Sequence, residues 1–188
     1  MAQTGPKNDI QTVNAEAEPF TATTGLETFA SYRMNLSGDF DGFKDGQPSS
    51  GSLEGFLGNA VPTPVASQKI LFVASGYPDK LLRAVEIPAS GVKNPEILWE
   101  YKRGNGYTPS PLLFEDSLYL VSDKGILTCL EPETGRVVYA GGRIPKPTGV
   151  KASLIGWDGK ILISGQEGDY FVIQSGPRHK VLAMNSLG

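Results

Sequence analysis

Asp116-Ser117-Leu118-Tyr119-Leu120-Val121-Ser122-Asp123-Lys124-Gly125-Ile126-Leu127-Thr128-Cys129-Leu130-Glu131-Pro132-Glu133-Thr134-Gly135-Arg136-Val137-Val138-Tyr139 alternates two kinds of segment. Leu118–Val121, Leu127–Leu130 and Val137–Tyr139 are short runs rich in β-branched and aromatic residues, the composition of strands. Asp123-Lys124-Gly125 and Pro132-Glu133-Thr134-Gly135 separate them, where Gly supplies positive φ and Asp caps its own backbone. The stretch reads as three strands of an antiparallel meander.

Working outward, the same pattern recurs on both sides. Thr63-Pro64-Val65-Ala66 with Leu71–Ser75 stands beside Ser110-Pro111-Leu112-Leu113 with Leu118–Ser122, and beside Ala152-Ser153-Leu154-Ile155 with Lys160–Ser164. Pro64 and Pro111 are 47 apart, as are Ser75 and Ser122, while Ser122 and Ser164 are 42 apart. The second halves repeat as well: Leu82–Val85, Leu127–Leu130 and Tyr170–Ile173 each lead through a turn to Ile97-Leu98-Trp99, Val137-Val138-Tyr139 and Val181-Leu182-Ala183. Four strands per 40–50 residues is the repeat of a β-propeller blade. The expected fold is all-β: a partial β-propeller of about three four-stranded antiparallel blades, near 60–101, 107–143 and 149–188, in a region running from 59 to 188. Three blades do not close a ring, so the region is expected to be a fragment of a larger propeller.

Residues 1–58 are poor in aliphatics and are expected to be an irregular, flexible N-terminal segment. Leu26, Phe29, Ala30 and Met34 have loosely helical spacing, enough for two turns at most. Ser37 to Ser52 reads as a polar loop, too weakly apolar to offset its ordering entropy. Asp39-Phe40-Asp41-Gly42-Phe43-Lys44-Asp45-Gly46 invites a calcium-loop reading. It fails in both frames, because Phe43 falls where an oxygen ligand is needed and Ser50 or Ser52 where an acid is needed.

Composition excludes several functions. A net charge of −3 with scattered Lys and Arg offers no basic field for nucleic acid. No run of 18 apolar residues exists, so no membrane-spanning helix is encoded, and the start has neither a basic region nor an apolar core of a signal peptide. Cys129 is the one cysteine and sits in an apolar run, which implies a buried, inert thiol and no Cys-based metal site.

The motif set of residues 116–139 resembles the pyrroloquinoline-quinone-like (quinoprotein-type) propeller repeat. There, a strand ending in Ser or Thr meets a D-x-G turn, then an L-x-x-L-(D/E) strand, a T-G hairpin and a strand bearing an aromatic residue. Thr134-Gly135 is the hairpin, Tyr139 stands at the aromatic position, and Trp99 occupies it one repeat earlier. Ser175-Gly176-Pro177 and Ala183 depart from the pattern in the third repeat, although a Gly-Pro hairpin is similar to those of bacterial secreted members. The resemblance covers about 128 of 188 residues and implies an extracytoplasmic or periplasmic setting. Quinone-dependent members place the cofactor between a Trp and a vicinal Cys–Cys disulfide, with calcium held by Glu, Asn and Asp. A chain with one cysteine departs from that, so neither quinone nor calcium is expected, and the non-dehydrogenase branch is the better match.

No catalytic group emerges. His179 is the one histidine, in the turn Gly176–Lys180, and reads as an exposed turn residue. Ser122, Ser153 and Ser164 lack a G-x-S-x-G context, and Gly104-Asn105-Gly106 precedes a strand rather than a helix, which argues against a phosphate cradle. Trp99 and Trp157 are explained by blade packing. Loops such as Gly104–Tyr107 and Lys146–Val150 are expected at one end face, where Tyr107 and Tyr77 are candidate anchors for a protein or peptide partner, Tyr77 reading equally well as the cap of a turn. The expected function is a non-catalytic binding scaffold. The alternative is the propeller portion of a larger enzyme, either a degenerate quinoprotein or a fusion with its catalytic domain elsewhere.

Overall fold

The computed structural model describes residues 31–34, 39–44, 47–53, 61–87, 92–93 and 95–187. Strands β1 (Ser31–Met34), β2 (Asp39–Lys44) and β3 (Gln47–Ser52) form a meander. They are followed by β4 (Val65–Ala66), β5 (Ile70–Ser75), β6 (Leu81–Glu86), β7 (Val92–Lys93) and β8 (Ile97–Tyr101). Then come β9 (Leu112–Phe114), β10 (Ser117–Val121), β11 (Ile126–Leu130) and β12 (Val137–Arg143). The last set is β13 (Ile155–Trp157), β14 (Lys160–Ser164), β15 (Asp169–Gln174) and β16 (Val181–Ser186). No helix occurs among the described residues.

Four four-stranded sheets result: β1-β2-β3-β7, β4-β5-β6-β8, β9-β10-β11-β12 and β13-β14-β15-β16. The last three are antiparallel meanders and match the three expected blades. Their first strands are neighbours, β1 beside β4, β4 beside β9 and β9 beside β13, so the sheets stack with these strands on the inside. The turns follow the sequence: Gly125 has φ 70° in the Asp123-Lys124-Gly125 turn, and Gly135 has φ 68° in the Thr134-Gly135 hairpin.

Alternation along each strand sends one set of side chains to the preceding sheet and the other to the next. Leu71 and Val73 meet Phe40 and Leu53 of the first sheet. Phe72, Ala74 and Ala84 meet Leu118, Leu120 and Leu130 of the next blade. Tyr119, Val121, Leu127 and Cys129 meet Ile161, Ile163, Phe171 and Ile173. Each seam between successive sheets is therefore an apolar core.

Two expectations need correction. Residues 37–52, expected to be a polar loop, instead contain β2 and β3, paired from Asp39↔Ser52 to Lys44↔Gln47. Phe40 and Leu53, each 2% exposed, supply the burial from a distance by packing on the next blade, which composition over a short window does not register. Ser31–Met34, the end of the loosely helical patch, is strand β1 paired with β2; the rest of that patch lies outside the described residues. This first sheet takes its fourth strand from the following blade, since β7 pairs in parallel with β3 through Gly51↔Val92 and Ser52↔Lys93.

The second correction concerns spacing. The backbone N–H of Thr63 donates to Ser110 Oγ, 47 residues on, as the shared offset requires. The N–H of Ser110 donates to Ser153 Oγ at an offset of 43, not 42. Leu118 and Leu120 therefore correspond to Ile161 and Ile163, and Ser122 corresponds to Gly165 rather than Ser164. A slip of one residue would have turned every side chain of β14 to the wrong face.

Candidate functional site

Loops at one end of the stacked sheets bring the two candidate tyrosines together. Tyr77 lies in the β5–β6 turn and is 63% exposed. Tyr107 lies in the connection from β8 to β9 and is half-buried. Their rings sit edge to face with centroids 6.2 Å apart.

Gly76, Asn105 and Asp123 hold this pair in place, a role that sequence reasoning gave to none of them. A Cβ on Gly76 would lie 2.3 Å from Tyr107 Cα and 2.5 Å from the Gly106 carbonyl oxygen, so only glycine lets the two loops touch. Asn105 is buried, and its Nδ2 donates to the Ser75 carbonyl. The N–H of Tyr107 donates to Asp123 Oδ1 at 3.0 Å. The sequence signal was present as Gly104-Asn105-Gly106. In the fold that segment seats Tyr107 on the neighbouring turn, with Gly104 at φ 81°.

Asp123 is the electrostatic centre of this end. Lys151 Nζ lies 3.4 Å from its Oδ1 and Lys80 Nζ 3.7 Å from its Oδ2, so one carboxylate ties the loops of three blades. Burial pushes its carboxyl up, but the Tyr107 N–H and the two ammonium groups outweigh that and hold it below the usual carboxylate range. The expected loop 146–150 also belongs here: Val150 N–H donates to the Asp123 carbonyl, and Gln166 N–H to the Gly149 carbonyl.

Nearby, Lys146 Nζ pairs with the buried Asp169 at 2.7 Å. Hydrogen bonding from Lys146 and Ser186 holds the Asp169 carboxyl low, and Lys146 is correspondingly raised.

Other singled-out residues are placed elsewhere. Trp99 and Tyr139 occupy the equivalent outer-strand positions, opposite Ala84 and Cys129 respectively, as the repeat implies. Trp99 Nε1 donates to the Pro132 carbonyl at 2.9 Å, and its ring covers Gly135, where a Cβ would come within 2.6 Å. Cys129 is fully buried and burial pushes its thiol up.

His179 is not an exposed turn residue. It is half-buried, its Nε2 donates to the Arg143 carbonyl at 2.9 Å, and its ring lies 5.8 Å from that of Tyr139. Trp157 is not buried by blade packing either: it is 40% exposed on the open side of the last blade. Ser122 Oγ accepts the Ile126 N–H at 3.1 Å, which makes it a turn cap. Among the described residues no three His, Cys, Asp or Glu side chains converge as a metal-binding group, and no helix is long and apolar enough to cross a membrane.

No family model matches the sequence, and no curated protein matches it. Solved structures do. BamB from Moraxella catarrhalis is similar with a TM-score of 0.52 at 14% identity, over 86% of this chain and 50% of that one. A europium-containing methanol dehydrogenase is similar with a TM-score of 0.53 at 14% identity, over 85% of this chain and 28% of that one. The chain thus spans half the length of the first and little more than a quarter of the second. At this identity the likeness is one of fold: stacked four-stranded β-sheets of a partial β-propeller, as these two structures share with this chain.

Proposed function

We propose that this chain is a non-catalytic propeller scaffold that binds a protein or peptide at the loop end carrying Tyr77 and Tyr107. The observation that carries the reading is the tyrosine pair itself. A large aromatic side chain stands 63% exposed on a loop that is otherwise pinned by a buried Asn, a glycine without room for a Cβ, and a shared carboxylate. Exposed aromatics held rigid are the usual anchors of protein interfaces, because they contribute contact area with little loss of conformational freedom. Lys80 and Lys151 flank the pair and share one carboxylate between them, which favours a partner segment with acidic residues beside its apolar ones. An extracytoplasmic setting belongs to the same proposal.

Panning a displayed peptide library against the full chain tests the reading. Enriched peptides should bind the wild type and lose at least about tenfold in affinity to Tyr77→Ala, the loss of roughly 1.4 kcal/mol expected for a modest aromatic anchor. Peptides that bind Tyr77→Ala and the wild type equally, or no enrichment at all, would count against this end as the binding face.

A further inference from the structure

Asn105-Gly106 is the one Asn-Gly pair in the sequence, and such a pair carries its own chemistry. The Gly106 nitrogen can attack the Asn105 side-chain carbonyl carbon, because no Cβ on residue 106 obstructs the approach. A C–N bond forms, the bond to Nδ2 breaks, and the departing nitrogen takes up the Gly106 amide proton and leaves as ammonia. Water then opens the five-membered imide at either carbonyl, giving aspartate or its β-linked isomer. Amide and water become acid and ammonia, and no other reactant is needed.

The fold holds this reaction closed. Asn105 is 1% exposed, and its Nδ2 donates to the Ser75 carbonyl of the preceding blade, which fixes the carboxamide on the neighbouring turn. Gly106 has little room to swing onto it. A Cβ there would lie 2.7 Å from Pro109 Cδ and 2.9 Å from the Val121 carbonyl oxygen, so the backbone is walled in. Yet the hold is slender. Asn105 Oδ1 is buried with no partner among the described residues, so a single hydrogen bond of modest net strength secures the carboxamide. Loops held in this way open far more readily than core strands.

The same geometry sets the consequence of conversion. A carboxylate has no hydrogen to give, so its oxygens would stand against the Ser75 carbonyl in a buried site. The new charge would also arise near Asp123, which accepts the Tyr107 N–H two residues along. The β-linked product lengthens the backbone where the loops already touch, since a Cβ on Gly76 would lie 2.3 Å from Tyr107 Cα.

We infer that Asn105 is a self-modification site, closed while its loop is seated and reactive when the loop lifts, whose conversion unseats Tyr107. This stands on the chemistry and geometry of the loop, whatever binds at that end. Incubating the full chain in mildly alkaline buffer, with peptide mapping by mass spectrometry, tests the first half. Conversion at Asn105 should be at least about tenfold slower in the folded chain than in strong urea, and should quicken in urea still below the unfolding midpoint. Equal rates folded and unfolded, or no conversion in strong urea, would overturn the inference.

Ion exchange then separates the converted chain, which carries an added negative charge, from the unconverted one. The Tyr107 amide, which donates to Asp123, should exchange its hydrogen at least about tenfold faster in the converted fraction, while amides of β14 exchange alike in both. Asn105→Asp, made directly, should reproduce that difference. A converted fraction whose Tyr107 amide is as protected as before, or whose β14 loosens equally, would overturn the link between the modification and the seat of Tyr107.

Discussion

Asp123 makes the residue scale informative, because three sequence-distant elements meet at one carboxylate. Its partners are the Tyr107 N–H, Lys151 and Lys80. Its folded-state pKa lies below the ordinary value, so the group stabilises the fold above the unfolded Asp range near 3.9, and that contribution is lost as pH falls through the lowered folded value. The urea midpoint should therefore drop on acidification below roughly pH 5, and Asp123→Asn should lower it at neutral pH and flatten the acid limb. An Asp123→Asn protein whose acid limb matches that of the wild type would show that the carboxylate is not what ties these loops. The tyrosines were legible as aromatic residues in turns. Their pins were not, because Asn105 and Ser75 are 30 residues apart and Tyr107 and Asp123 are 16 apart, and nothing local in the sequence couples them.

At the scale of elements, adjacent blades are matched by the size of what faces the outer-strand aromatic. Trp99 lies on Gly135, whereas the smaller Tyr139 meets His179, which fills the space a larger ring would take. Gly135→Ala should cost about 2–5 kcal/mol, combining the φ of 68° with a Cβ 2.6 Å from the Trp99 ring. Trp99→Ala should cost about 3 kcal/mol by emptying the same seat. In the double variant the clash is gone and only about 1–2 kcal/mol of backbone strain remains for Gly135→Ala, a non-additivity that denaturant unfolding of the four proteins measures. Strict additivity would mean that ring and hairpin do not interact. The strands and turns of the second blade were readable because each is a local apolar run between Gly-bearing turns. The register of the third was misjudged by one residue because Ser164 imitates Ser122, while the true equivalence is set by the Ser110–Ser153 bond between blades. The first sheet escaped a reading by composition because the buried apolar side chains described in it, Phe40 and Leu53, are few and both depend on the blade beside it.

For the molecule as a whole, stability should be graded along the stack rather than uniform. Each sheet buries its faces only against its neighbours, as in other repeat architectures, so a sheet with one open face has about half the support of one enclosed on both sides. β5, in the second sheet, is buried along its whole length, and so are most of β10 and β11. β14 and β15 alternate buried with half-buried positions, because Ile161, Ile163, Phe171 and Ile173 are covered while Leu162 and Val172 face outward. Local opening should therefore begin in the last blade and reach the middle blades only through near-global unfolding. Native-state hydrogen exchange on dilute protein should show amides of β14 and β15 exchanging at least about tenfold faster than those of β5 and β10, a gap of roughly 1.4 kcal/mol in opening free energy. Equal protection of the middle and last blades in dilute solution would mean that the stack opens as one cooperative unit, and that the uncovered row of Ile155, Leu162 and Val172 costs the molecule nothing.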